Sequence, residues 1–143
     1  MSKLFRTTLW ILSGIGLIAF LIQTLSTFLI SPLMGLLSLL IAAVLVALVI
    51  FLLQRSPMWA RPARLWAALA FLWGGGVAVA LALISSGPVM QLAIDTGWVD
   101  AMMSWSGAYP EEISKATGVI FVLMSFRQLN RPWHGWLVGA VVG

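Results

Sequence analysis

Glu111, Glu112 and Lys115 put two carboxylates and an ammonium within five residues, in the stretch YPEEISKAT. On a helix, residues three and four apart share a face, so both acids reach the same ammonium. Such a set can take up or deliver a proton, activate a water, or offer oxygens to a cation. A plainer reading is a solvated helix start. Pro110 suits the first helical position, and acids in the first turn complement the positive end of the helix dipole. Which reading holds depends on where the helix carries these groups.

The chain has 143 residues, of which 62% are hydrophobic and only 8% charged, with a mean hydropathy of +1.06. Soluble domains carry roughly 25% charged residues, so a water-facing globular surface cannot be built from this composition. The fold class is all-α, a polytopic transmembrane helix bundle forming a single membrane domain. Cysteine is absent, which excludes disulfides, thiol nucleophiles and thiolate metal sites. The net charge of +4 does not point to nucleic acid, because the basic residues are scattered through short loops.

A bilayer core of about 30 Å takes roughly 20 apolar residues in a helix. Runs at 9–30, 33–53 and 65–84 qualify, with Ser31-Pro32 making a tight break between the first two. The first run is too long for a signal peptide and has no small-residue cleavage site, so it reads as a retained span. A fourth span is expected at 110–126, and a fifth at 133–143 that is incomplete, as though the chain were a fragment. Residues 86–109 read as an extracytoplasmic segment lying in the headgroup layer, with Trp98 and Trp105 on its apolar side. Lys3, Arg6, Arg55, Arg61, Arg64, Arg127 and Arg131 all fall on one side if five spans alternate. That side is expected to be cytoplasmic, with the N-terminus inside.

Depth bears on the acidic turn. If Glu111 lay at the water boundary, a helix to Phe126 would rise only about 24 Å, short of the roughly 30 Å core. The turn is therefore expected to be drawn inward. An ionisable group at the helix centre costs about 2.5 to 3.5 kcal/mol on insertion scales, so such groups face a polar cavity between helices. Neighbouring carboxylates in a low dielectric repel one another, which suits one of them to acid or base work.

Glu-Glu-x-x-Lys opening a membrane helix, followed by the basic loop and glycines of RQLNRPWHGWLVGAVVG, resembles the PrsW family of intramembrane proteases, relatives of the CAAX prenyl proteases. The resemblance covers about residues 105–143. It implies a peptidase that cleaves membrane-anchored protein substrates in a bacterial cytoplasmic membrane. Glu111 and Glu112 would be its catalytic acids, Lys115 their basic partner, and a divalent metal such as zinc could sit on Glu111 and Glu112. Which glutamate acts is left open. His134 stands where the family often has aspartate, and the family's later Glu and His motifs lie beyond Gly143, so the 143 residues alone are expected to be inactive.

The remaining candidates have simpler roles. His134, beside Trp133 and Trp136, reads as an interfacial residue rather than a metal ligand. Gly74-Gly75-Gly76 allows close helix approach or a kink. Gly135, Gly139 and Gly143 suggest packing against the glutamate-bearing helix, and Ser13, Gly14 and Gly16 suggest the same for span one. Trp59, Trp66 and Trp73 read as interface or packing residues. Two rivals stand beside the peptidase: a non-enzymatic subunit or scaffold whose charged turn docks a partner helix, and a small transporter or channel component using the carboxylates as a proton or cation site.

Overall fold

The computed structural model describes residues 3–61 and 64–143, with Arg64 described by its backbone alone, so that the Arg64 side chain of the basic loop lies outside the described residues. Among the described residues all regular structure is helical. Helix α1 spans Lys3–Ile30 and α2 spans Pro32–Arg55. Ser31 takes an extended conformation (φ −151°, ψ 99°) and Pro32 opens α2. Proline's missing N–H costs nothing there, because first-turn donors have no partner within the helix. The expected hairpin break is thus in place.

A single rod follows, made of α3 (Arg64–Leu72), a π-helical turn (Trp73–Ala78) and α4 (Val79–Asp95). A short 3₁₀ turn at Val99–Ala101 leads into α5 (Met102–Ser125), and α6 covers His134–Val142. The described residues therefore form five helical rods. Three of them, Lys3–Ile30, Pro32–Arg55 and Leu65–Asp95, are long and apolar enough to cross a membrane.

Two helix bounds differ from expectation. The third helix does not stop near residue 84 but runs through Pro88 to Asp95, and α5 begins at Met102 rather than Pro110. No separate surface helix forms over 86–109, because its two halves extend the neighbouring rods, which pack along each other from the turn at Gly97 (φ +78°). Proline inside a membrane helix is tolerated where neighbouring helices and hydroxyls compensate. Here α5 packs along α4, the helix that carries Pro88. Pro110 is buried within α5.

The π-helical turn is the hub of the bundle, touched by α1, α5 and α6. At Gly16 and Gly76 the backbones of α1 and the turn meet directly, and a Cβ on Gly76 would overlap the main chain of Gly16. Gly118 of α5 lies under the Trp73 indole, and Gly74 faces the backbone of Val142. Around these approaches Leu9, Trp66, Leu69, Trp73, Val122, Leu137 and Val138 form the buried core. Gly14, Gly135 and Gly139 have open space where a Cβ would stand. So the glycines of α6 do not make its packing face, which is instead formed by Leu137, Val138, Val141 and Val142. Of the small residues singled out in α1, Ser13 and Gly16 are buried.

Helix α2 is different. Of its residues only Gly35 is buried, and its main neighbour is α1. A helix apolar on every side suits lipid contact. It stands as an arm beside the bundle, and the space it leaves is where the charged side chains lie.

Candidate functional site

Helix α5 has 24 residues, about 36 Å of rise. Glu111 stands ~14 Å from its first residue and ~21 Å from its last. The acidic turn is therefore in the middle of a helix and not at its start, because the helix begins two turns before Pro110. The capping reading of the sequence is removed by that observation.

Lys115 Nζ lies 2.8 Å from Glu111 Oε1 and 3.2 Å from Glu112 Oε1, so both carboxylates share one ammonium. Their directions differ. Glu111 and Lys115 line a groove of about 330 Å³, with side chains 43% and 21% exposed, whereas Glu112 is 71% exposed and turned away. The outer wall of the groove is the inner face of α2 at Leu45, Val46, Val49 and Ile50. Its other walls are Phe71, Gly74 and Gly75 of the central rod and the last residues of α6. At Gly74 the missing side chain lets the backbone of Val142 come close, and so joins the central rod to the α6 wall of the groove.

Trp73 fixes the rotation of α5. Its indole Nε1–H donates to the Ser114 carbonyl at 2.9 Å, one residue from Lys115, and its ring stacks on Phe121 at 5.3 Å. Neither contact was legible from the tryptophan alone, although a signal existed. Ser106, Pro110, Ser114, Gly118 and Val122 recur every fourth residue and are all buried, a small-residue stripe along which another helix can lie close. Glu111 and Lys115 occupy the adjoining stripe. Trp73→Phe keeps a ring over Phe121 but removes the donor, and is expected to lower stability by about 1 kcal/mol. Unfolding in mixed micelles would measure it.

His134 is not at this site. It is buried at the start of α6, where its Nδ1 accepts the Arg131 N–H at 3.1 Å and closes the turn into the helix. His134 thus closes a turn, a role the sequence did not show, and it does not line the groove beside Glu111 and Lys115.

With the geometry in view, the model of a PrsW family intramembrane metalloprotease matches residues 61–143, more than half of the chain. The chain belongs to the PrsW family. The match begins well before residue 105, where the Glu-Glu-x-x-Lys resemblance started, and takes in the π-helical turn and all of α4. No curated protein and no solved structure matches the chain. The family description implies a metal, and the described residues do not complete a place for one. No group of three or more His, Cys, Asp or Glu side chains gathers among them. Protein zinc sites use three or four such ligands. Glu111 and Glu112 both face the Lys115 ammonium, whose charge opposes a cation.

Proposed function

We propose that this PrsW family chain forms part of a peptidase that cleaves membrane-anchored protein substrates, with Glu111 as the acid–base group, Lys115 as the residue that holds it, and Glu112 in support. The reading rests on one observation: a carboxylate–ammonium pair at mid-helix opens onto a groove between apolar helices. A peptide-bond hydrolase needs such a group within reach of an attacking water, in a place where bulk solvent is limited. In this reading α5 crosses the membrane, the basic ends of the helices face the cytoplasm, and the chain makes four full crossings and begins a fifth with α6. Supporting this layout, Arg6, Leu65 and Arg127 share one cleft, so the starts of α1 and α3 and the end of α5 lie together.

The test is cleavage of a single-span reporter protein by the full-length protein reconstituted in bilayers. Fragments cut within or beside the reporter's membrane span, located by mass spectrometry, are expected. No cut, together with a partner protein that co-purifies and is lost on Lys115→Ala, would replace the peptidase by the scaffold reading.

A further inference from the structure

A second cleft, of about 400 Å³, opens between the first turns of α1, the start of α3 and the end of α5. It shares no lining residue with the groove at Glu111. Arg6 and Arg127 enter it from opposite ends of the sequence, joined by Gln128 and the ring of Trp10. Neither arginine has an ion-pair partner among the described residues, and none of the four acidic residues lines the cleft. Ser125 is also in the wall, and its buried hydroxyl has no hydrogen-bond partner. Arg6 and Trp10 also border a neighbouring groove that takes in Lys3.

Two arginines lining one cleft without a counter-charge attract an oxyanion, and the planar fork of arginine matches phosphate oxygens in paired hydrogen bonds. The depth narrows the source of the phosphate. This cleft lies at the ends of the helices that carry the basic residues, where lipid headgroups meet the protein and tryptophan rings collect. The cleft also has apolar walls, with Leu65 and Trp10 both about half exposed (47% each). Free phosphate has no use for such a wall, whereas the glycerol and upper acyl carbons of a lipid do.

We propose that this cleft binds the phosphodiester head of an anionic membrane lipid, gripped by Arg6 and Arg127, with its upper acyl carbons against Leu65 and Trp10. The proposal does not depend on the proteolytic reading. Diffuse attraction of basic loops to an anionic leaflet would treat every arginine at this end alike. A built site would not.

The experiment titrates the full chain, purified in a neutral detergent, with phosphatidylglycerol or phosphatidylcholine and counts bound lipid by native mass spectrometry. Phosphatidylglycerol is expected to bind about tenfold more tightly. The Arg6→Gln/Arg127→Gln variant is expected to bind the two lipids equally while retaining its helicity by circular dichroism. Arg55→Gln, at the end of α2 and outside the cleft, is expected to keep the full preference. Equal binding of both lipids by the unaltered chain would overturn the proposal. So would an equal loss of preference in Arg55→Gln, and displacement of phosphatidylglycerol by millimolar inorganic phosphate would assign the cleft to a free anion instead.

Discussion

Glu111→Gln is expected to slow peptide-bond cleavage by about 10²- to 10⁴-fold, the range that a positioned general acid or base contributes. Glu112→Gln is expected to slow it by less than roughly tenfold, as fits a carboxylate that only shares the lysine. The two side chains are neighbours in sequence, yet about 100° apart around the helix axis. That angle puts Glu111 in the groove wall with Lys115 and leaves Glu112 largely outside it. Glutamine keeps the size of the side chain while losing both the charge and the ability to accept a proton, so the change isolates the chemistry from the packing. Single-turnover cleavage of the reporter in bilayers separates the chemical step from substrate binding. A large effect on binding with the rate untouched would make Glu111 a docking residue. The reverse ranking of the two glutamates would move the acid–base role to Glu112 and require α5 to be rotated from the position seen here.

Rotation of α5 is also where the sequence stopped being readable. Composition alone placed the chain in a membrane, and Ser31-Pro32 marked the hairpin because proline at a helix start and proline at a helix end leave different neighbours. Pro88 and Pro110 carried no such clear signal. Each could open a helix or sit inside one, and only the packing of α4 on α5 decides that both sit inside. Reading Pro110 as a start shortened α5 by two turns and made the acidic triplet look terminal. The depth argument still drew it inward, since the shortened helix could not cross the bilayer. For the glycines, spacing misled. Gly135, Gly139 and Gly143 have the close-packing rhythm but meet little, while Gly16, Gly76 and Gly118, far apart in sequence, carry the approaches that hold the bundle. Such matches depend on which helices are neighbours, and a spacing rule cannot see that. Trp73 illustrates the same limit: its burial was within reach of the sequence, but its bond to the Ser114 carbonyl was not.

Gly76→Val should therefore be among the most damaging substitutions away from the charged groove. Valine's branched Cβ would stand where the Gly16 carbonyl and Cα now are, and the obstacle is main chain, which cannot swing aside as a long side chain could. Relief requires α1 to separate from the π-helical turn, losing the contacts of Leu9 and Val77 with the rest of the core. Overpacking of a close-packed interior commonly costs 1–3 kcal/mol, and with backbone on both sides the expected loss is ~3 kcal/mol or more. Gly139→Ala serves as the control. It meets nothing within 4 Å, and its expected effect stays within about 0.5 kcal/mol. Unfolding midpoints in mixed micelles compare the two on one scale. The site should respond as well, because Gly74 and Gly75 in the same turn form a wall of the groove beside Glu111 and Lys115. Lipid helices without a hydrophobic drive between them rely on this kind of close approach. If Gly76→Val unfolded at the same point as the unaltered protein, α1 and the central rod could not cross at Gly16 and Gly76, and the floor of the groove would need another support.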